Sequence, residues 1–243
     1  MKTLIIIPSR MSATRLPGKP LLKINGLSII SHVSKKAEEA NIVDVIIATE
    51  DQEIVDDVKK NGFNAILTSN HHKTGTDRIL EALKKSNVKG VDLIMNLQGD
   101  EPAIESDDIK SLNNKMANNH SNLGTLAATI KDHKNLKNEN VVKVITEKNL
   151  EKDNFPKAIS FLRKSEQIDN LYHHIGIYCY SKDILEKFTQ LSQSKNEIEN
   201  RLEQLRALDN SIDINVSLAK SSPIGVDTKE DYLALKKIME YKS

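Results

Sequence analysis

Three cations follow the first apolar run of the chain within ten residues. The run, residues 4–7 (LIII), ends at Pro8, and Arg10, Arg15 and Lys19 come next among Ser, Thr, Pro and Gly. A strand followed by a glycine-containing loop and a helix start is how α/β proteins hold phosphate, because backbone N–H groups meet the anion and Arg and Lys add charge. The loop lacks the glycine patterns of the P-loop and of the dinucleotide fold. The residues alone leave two interpretations, a phosphate-binding loop or a solvated basic loop.

Acidic residues follow another apolar run, in VDLIMNLQGDEP, where Asp100 and Glu101 come directly after the hydrophobic residues. Mg²⁺ is held by one or two carboxylates together with substrate phosphates and water, so this is a candidate metal site. A polar turn has the same composition and stays open. Asp227 is a candidate second carboxylate, or an ordinary cap of the helix predicted to start near Thr228. The segment HHKTGTDR is either a ligand loop or a capped turn.

The sequence indicates neither a zinc site nor a nucleophile. One cysteine and seven scattered histidines give no zinc pattern, and the adjacent His173 and His174 would point to opposite faces of a strand. Cys179 lies in the apolar stretch IGIYCYS and is interpreted as a packed residue. The carboxylates of NEIENRLEQLRALD are typical of a solvated helix face.

The first half of the chain alternates strands and helices, and these elements must position the polar clusters. Strands are predicted at 3–9, 44–50 and 64–69, and 91–102 is predicted as a fourth strand that runs into a polar loop. Helices are predicted at 28–40, 51–62 (ending at Gly62) and 76–86. Such alternation predicts βαβ crossovers and a mostly parallel sheet. Ligands of these sheets bind beyond the carboxyl ends of the strands, where the opening loop, HHKTGTDR and QGDEP all fall.

The second half is less regular. We predict strands at 123–130, 141–147, 173–181 and 214–219, and helices at 182–191, 198–209 and 228–242. The stretches 113–122 and 131–140 are rich in Asn and Lys and are predicted to be solvated loops. No linker that would divide two domains is evident, so we expect a single domain.

Composition disfavours two classes of partner. The 243 residues carry 35 Lys+Arg and 34 Asp+Glu, a net charge of +1, whereas nucleic-acid binders more often have a basic excess. No apolar run approaches the ~20 residues that span a bilayer, and the N-terminal run is too short for a signal peptide. A single cysteine fits a reducing compartment. We expect a cytoplasmic protein with neither a nucleic-acid nor a membrane partner.

Eight segments, in this order over nearly the whole chain, together resemble one family. They are IPSRMSATRLPGKPL, IIATED, HKTGTDR, NLQGDEP, VVKVI, HHIGIYCY, LEQLR and GVDTKED. The sequence resembles the 3-deoxy-manno-octulosonate (KDO) cytidylyltransferases, also called CMP-KDO synthetases. The resemblance implies Mg²⁺-dependent transfer of CMP from CTP to the anomeric hydroxyl of KDO, giving CMP-KDO and pyrophosphate for lipopolysaccharide synthesis. It also implies a homodimer.

The fold implied by the resemblance is a single α/β nucleotidyltransferase domain, residues 1–243. Its central sheet would be mixed, mostly parallel and flanked by helices, Rossmann-like and GT-A-like. Residues 1–110 would mainly bind the nucleotide, and residues 111–243 would mainly bind the sugar and form the dimer contacts.

Site residues are implied by position in the matching segments. Arg10, Arg15 and Lys19 would hold the triphosphate and, with Asp100 and Asp227 as metal ligands, form the catalytic set. The CTP pocket would consist of Ser9, Arg10, Lys19, Arg78 and Asp100. The sugar acid would be surrounded by Gln98, Arg163, His174, Tyr178, Glu203 and Gln204. For Glu203, the resemblance favours a substrate-facing carboxylate over a solvated one.

The sequence departs from the family near the sugar. Ser160 and Leu162 replace an expected Tyr and Ser, the loop after them is shortened, and Lys195 and Asn200 replace an expected Pro and Glu. The acceptor therefore stays open between KDO and a related acid such as 8-amino-KDO or another nonulosonic acid. A non-catalytic nucleotide-binding protein is disfavoured, since the five charged residues of the catalytic set are all present.

Overall fold

The computed structural model describes residues 1–12, 15–42, 44–166, 168–220 and 222–241. Ala13 and Thr14 of the opening motif, Gln167 of the shortened loop and Lys242 of the last predicted helix lie outside the described residues. The chain forms two compact units: unit 1 comprises residues 1–110 and 223–243, and unit 2 comprises residues 111–222. The C-terminal segment thus belongs to the same unit as the opening loop, while the functional division expected at residue 110 stays a prediction.

Unit 1 is built on a parallel sheet with the strand order β6-β1-β4-β5. Its strands are β1 (Thr3–Ser9), β4 (Asp44–Thr49), β5 (Ala65–Leu67) and β6 (Leu93–Asn96), and a separate hairpin joins β2 (Lys23–Ile24) and β3 (Leu27–Ser28). Residues 4–7 are buried on both faces of β1, as the continuous apolar run predicts for a parallel strand.

The helices of unit 1 lie close to their predicted bounds. They are α1 (Ile29–Glu39), α2 (Gln52–Lys60), α3 (Gly75–Lys85) and α8 (Lys229–Tyr241). Helices α1, α2 and α3 each bury an apolar stripe, and α8 buries Leu235. The hydroxyls of Ser28 and Thr74 cap α1 and α3. Gly62, just beyond α2, has a φ of 87°, as expected of the glycine that ends a helix.

Unit 2 contains a mixed sheet with the order β11-β7-β10-β8-β9, in which only β11 and β7 are parallel. The strands are β7 (Leu123–Ala128), β8 (Lys143–Thr146), β9 (Ala158–Leu162), β10 (Leu171–Ser181) and β11 (Asn215–Leu218). Most of helix α4 (Ser106–Asn119) lies in this unit, as do α5 (Lys182–Gln190), α6 (Lys195–Asn200) and α7 (Leu205–Asp209). Cys179 is fully buried in β10, which confirms its interpretation as a packed residue.

Two predictions for the second half are wrong, and one strand was not predicted. The helix expected at 198–209 is two helices, α6 and α7, because Arg201 adopts a left-handed conformation with a φ of 54°. Residues 113–119, expected in a loop, continue helix α4 (Ser106–Asn119). Leu112 and Met116 are both fully buried at helical spacing, and this apolar stripe outweighs the Asn-rich composition. Strand β9 lies in a stretch for which no element was predicted.

The predicted fold class is confirmed. The chain is α/β, with a parallel sheet and one hairpin in unit 1, mixed pairing in unit 2 and helices flanking the strands. Within the described ranges, no helix has the length and apolar character needed to cross a membrane.

Candidate active site

A cleft of about 380 Å³ opens in unit 1 at the carboxyl ends of β1 and β6, beside the start of α3. This is the edge of a parallel sheet at which ligands bind. The sequence-predicted site residues of unit 1 all line it: Ser9, Arg10, Arg15, Lys19, Arg78, Gln98, Asp100 and Asp227. His72, Lys73 and Thr74 of HHKTGTDR line it as well. The structure therefore brings the three polar clusters together, and the individual roles stay predictions.

Two glycines allow the backbone segments of the cleft to approach one another. A Cβ on Gly99 would lie 3.0 Å from the carbonyl oxygen of Pro8 and 3.1 Å from Cδ1 of Ile30, so the QGD segment can lie against the end of β1 only without a side chain. Gly18 has a φ of 73°, which an L side chain rarely adopts. Its amide donates to the carbonyl of Met11 and closes the opening loop just before Lys19.

An ion-pair cluster occupies the centre of the cleft. Lys19 Nζ lies 2.8 Å from Oδ2 of Asp100 and 3.5 Å from Oδ1 of Asp227. Arg15 approaches the same Asp227 oxygen at 3.0 Å. Only 12% of the Lys19 side chain is exposed, so screening by water is reduced and the attraction is stronger than at an open surface. One ammonium therefore bridges two carboxylates that lie far apart in the sequence.

Hydrophobic packing places Asp227 in this cluster. Val226 is fully buried against Ile24, Ile29 and Leu235, and its amide donates to the carbonyl of Asp100 at 2.9 Å. Burial of these side chains fixes the segment beside the opening loop.

The same segment decides between the two interpretations of Asp227. Helix α8 is capped by Thr228, whose hydroxyl accepts from the amide of Asp231. The Asp231 carboxylate in turn accepts from the amides of Asp227 and Thr228. The Asp227 carboxylate is therefore not the cap, and it faces Lys19 and Arg15 instead.

Glu101 is a third acidic group of the cluster, and it was not among the predicted site residues. Its Oε2 is shielded from solvent and has no hydrogen-bond partner in the described part of the chain. Burial, together with the charges of Asp100 and Asp227, raises the pKa of Glu101 from 4.5 to about 8, although Lys19 opposes the shift. The acidic pair in QGDEP was the available signal, but burial of its second member depends on the tertiary fold.

The carboxylates fit a divalent cation that is bound jointly with substrate. Asp100 and Asp227 both contact the same positive charge, the ammonium of Lys19. In the described ranges, no three or more His, Cys, Asp or Glu side chains are arranged to hold a metal by themselves. Mg²⁺ commonly takes one or two carboxylates and completes its shell with phosphates and water. Asp100 and Asp227 therefore suit a Mg²⁺ ion shared with the substrate better than a metal held by protein ligands alone.

Two side chains of α3 hold the loop that forms one wall of the cleft. The buried guanidinium of Arg78 donates to Oγ1 of Thr68 at 2.6 Å, to the carbonyl of Ser69 at 3.2 Å and to the Glu50 carboxylate. One turn later, the Glu81 carboxylate accepts from the amide of Ser69. Both backbone groups of Ser69, its amide and its carbonyl, are therefore held by side chains of α3. HHKTGTDR is at once a capped helix start and a wall of the cleft.

Glu81 is the second functional candidate that the sequence did not reveal. Burial alone would raise its pKa, but hydrogen bonds from Lys85, His72 and the Ser69 amide outweigh burial and lower the pKa of Glu81 from 4.5 to about 2. The carboxylate is therefore charged at neutral pH and ties the cleft-lining His72 to α3.

In unit 2, the predicted sugar residues His174 and Tyr178 belong to a chain of aromatic contacts on β10. The His174 ring meets Phe161 edge-on at 5.0 Å and Tyr178 at 5.5 Å between centroids. Burial, with the neighbouring His173, lowers the pKa of His174 to about 3, so the imidazole is neutral. Glu203 lies near Tyr178, and its charge contributes, after burial and Tyr180, to raising the pKa of that phenol.

Arg163 and Gln204, two further residues predicted to bind the sugar, lie against other parts of unit 2. The guanidinium of Arg163 donates to the carbonyls of Asn200, Arg201 and Glu139 at 2.7–3.0 Å. Three of its five N–H groups are thus committed inside unit 2, at the turn between α6 and α7. Gln204 is buried at the start of α7. Pairing of Arg163 with a substrate carboxylate stays a prediction.

Known proteins are similar to this chain in sequence and in fold. A family model described as cytidylyltransferase matches residues 4–214. A 3-deoxy-manno-octulosonate cytidylyltransferase of Rhodopseudomonas palustris is 41% identical over 243 residues, which cover 99% of this chain and 98% of the relative. One of Agrobacterium fabrum is 38% identical over 245 residues, with 98% and 95% covered.

Solved structures agree with the sequence relatives. The structure of a CMP:2-keto-3-deoxy-manno-octonic acid synthetase complexed with CTP superposes with a TM-score of 0.91 at 32% identity, covering 100% of both chains. A UDP-glucose pyrophosphorylase complexed with UDP-glucose, at 16% identity and a TM-score of 0.71, shares the fold. The chain therefore belongs to the cytidylyltransferase family, as an enzyme of the 3-deoxy-manno-octulosonate cytidylyltransferase group.

Proposed function

We propose that the chain catalyses Mg²⁺-dependent transfer of CMP from CTP to the anomeric hydroxyl of KDO, releasing pyrophosphate, with CTP bound in the cleft of unit 1. The observation that carries the proposal is the Lys19 ammonium between Asp100 and Asp227, in a cleft that Arg10 and Arg15 also line. The names of the relatives and the CTP in the solved structure of one of them support the choice of substrates.

The charges of the cleft suit this chemistry. The C2 hydroxyl of the sugar acid forms a bond to the α-phosphorus, the bond from that phosphorus to the bridging oxygen breaks, and pyrophosphate leaves with the electron pair while the hydroxyl proton is released. Triphosphate, sugar carboxylate and the developing charge are all anionic. Arg10, Arg15 and Lys19 offset their repulsion, and positioning with electrostatic stabilisation supplies most of the catalysis. No covalent intermediate is required.

Asp100 and Asp227 would hold the metal ion. Bound Mg²⁺ would neutralise charge on the triphosphate and lower the pKa of the attacking hydroxyl. Lys19 keeps the two carboxylates oriented towards one point, and Arg15 contacts the same oxygen of Asp227 as Lys19 does. Ser9 and Arg78 complete the CTP pocket, Ser9 at the end of β1 and Arg78 by holding the loop at Thr68 and Ser69.

The residues that would bind the sugar acid are Gln98, Arg163, His174, Tyr178, Glu203 and Gln204. An 8-amino derivative of KDO is the second candidate acceptor, because the departures from the family lie at residues 160–172 and 195–200. We infer further that the enzyme acts as a cytoplasmic homodimer in lipopolysaccharide synthesis.

Pyrophosphate release tests the reaction and the acceptor together. Purified protein is incubated with CTP and either KDO or 8-amino-KDO, each with Mg²⁺ or with EDTA. Release with KDO that EDTA abolishes is the expected result. Release only with the 8-amino sugar would replace the acceptor and point to residues 160–172. Release that persists in EDTA would refute the metal requirement, and no release with either sugar would refute the transfer to these acceptors.

Two variants test the metal ligands. Asp100→Ala and Asp227→Ala should each abolish Mg²⁺-dependent turnover while the circular dichroism spectrum is retained. Asp231→Ala, which removes the helix-capping carboxylate four residues from Asp227, is the matched control and should alter stability more than turnover. Unchanged turnover in Asp227→Ala would exclude a two-carboxylate metal site.

A further inference from the structure

The hydroxyl of Thr125 on β7 lies against the His174 ring on the neighbouring strand β10. Oγ1 of Thr125 is 3.0 Å from Nε2 of His174, 2.6 Å from the carbonyl oxygen of Ile177 and 3.3 Å from the carbonyl oxygen of Ile175. The pairing of β7 with β10 is irregular between Ile175 and Tyr178. A bulge of this kind disturbs the ladder of hydrogen bonds, and one hydroxyl here reaches both displaced carbonyls.

These three contacts determine which atom donates. A hydroxyl carries one hydrogen, and carbonyl oxygens can only accept. The hydroxyl hydrogen of Thr125 is therefore donated to the carbonyl oxygens, of which that of Ile177 is the nearer. Towards His174, Oγ1 can only accept, so Nε2 must carry a hydrogen for the 3.0 Å contact to be a hydrogen bond.

A neutral imidazole has a single N–H, so Nδ1 of His174 is left with a lone pair. The low pKa of His174, caused by burial and by His173, agrees with a neutral ring. Nδ1 makes no hydrogen bond to any residue that the structure describes. Phe161 and Tyr178 pack against the ring and restrict its rotation. The ring thus presents one acceptor in a fixed direction.

We propose that Thr125 fixes His174 as the Nε2–H tautomer, so that Nδ1 accepts a hydrogen bond from a hydroxyl of the sugar acid. The second half of this proposal rests on the proposed function. Thr125 is then a positioning residue for substrate recognition. Nδ1 of His174 accepts from a hydrogen-bond donor of the sugar, and it cannot donate to the sugar carboxylate. An acceptor that the bound sugar covers without giving it a donor is costly, which would make the contact selective.

Nitrogen NMR of the full chain, labelled at histidine, tests the tautomer without any substrate. The two ring nitrogens of His174, assigned by comparison with His174→Gln, should show a hydrogen on Nε2 and none on Nδ1 at neutral pH. Thr125→Ser should retain this spectrum. Thr125→Val should give a mixture of tautomers, whereas Thr189→Val, which removes a helix hydroxyl of the same unit, should leave the His174 signals unchanged. A hydrogen on Nδ1 in the wild type, or an unaltered spectrum in Thr125→Val, would overturn the proposal.

Kinetics test the contact with the sugar. Thr125→Val should raise KM for the sugar acid in proportion to the share of His174 that leaves the Nε2–H tautomer, with KM for CTP unchanged, and Thr125→Ser should restore it. Equal rises in both KM values would refute the sugar contact. If Thr125→Val does not fold, the wild-type spectrum still decides the tautomer. If the wild type transfers no CMP, the proposed function and the sugar contact fail together, while the spectrum still decides the role of Thr125.

Discussion

Lys19 and Asp100 form an ion pair of 2.8 Å between Nζ and Oδ2, in a cleft where strands β1 and β6 end. The pair joins the opening basic loop to the QGDEP segment, which lie 81 residues apart in the sequence. The same ammonium reaches Asp227 at 3.5 Å, and through it the C-terminal segment. Three separate parts of the chain are therefore positioned by one charge.

Replacing this charge should affect catalysis strongly. We expect Lys19→Met to lower kcat/KM for CTP by roughly 10²–10³-fold, the usual cost of removing one group that stabilises developing negative charge. Steady-state kinetics with CTP and the sugar acid would measure it. Lys60→Met, at an exposed position on α2, is the control and should have no effect. A change of less than threefold in Lys19→Met would contradict the role of Lys19.

Glu101 should make the protein less stable as the pH rises. Because its folded pKa is about 8 against 4.5 when unfolded, the folded state holds a proton that the unfolded state releases between these values. The free energy of unfolding contributed by this group therefore falls from pH 4.5 to 8. We expect Glu101→Gln to unfold at a higher temperature than the wild type at pH 8 in EDTA, and at nearly the same temperature at pH 4. Equal midpoints at pH 8 would show that Glu101 is not buried as described.

Glu81 should act in the opposite direction. Its folded pKa is about 2, so the stability it contributes is present above pH 4.5 and is lost as the pH falls towards 2. Glu81→Gln should lower the free energy of unfolding at pH 7 by about 1–3 kcal/mol and raise KM for CTP, since the wall of the cleft loses its anchor. The stability difference should shrink below pH 4, as urea unfolding at several pH values would show. Glu39→Gln, in an exposed pair with Lys36, is the control.

A buried ion pair should hold the α6–α7 region of unit 2. Oε1 and Oε2 of Glu197 lie 2.5 and 2.8 Å from nitrogens of Arg206, and both side chains are at most 5% exposed. Glu197→Ala removes the carboxylate that holds the buried arginine through two hydrogen bonds, and should cost about 3–5 kcal/mol in urea unfolding. Glu199→Ala removes the exposed partner of Lys195, two residues away, and should cost less than about 1 kcal/mol. Similar costs for both variants would contradict the burial of the pair.

The sequence predicted what depends on local pattern. Apolar runs such as residues 4–7, alternating with helix-like segments, identified the elements of unit 1, and the carboxyl-edge rule placed Lys19 and Asp100 near each other. The single helix predicted at 198–209 was wrong because the residue type of Arg201 does not indicate the left-handed conformation that it adopts. Glu101, although it lies in the candidate metal segment, was given no role of its own, and Glu81 was not singled out, because their altered pKa values arise from burial and from partners that only the fold supplies.

Phosphorus NMR of a complete reaction would follow every phosphorus atom of CTP. With protein, CTP, KDO and Mg²⁺, attack at the α-phosphorus predicts that the CTP signals are replaced by one phosphodiester signal and by pyrophosphate, formed one to one, and that omission of the sugar or the metal stops the change. Formation of CDP and phosphate, or CTP left intact with every sugar acid offered, would contradict cytidylyl transfer by this chain.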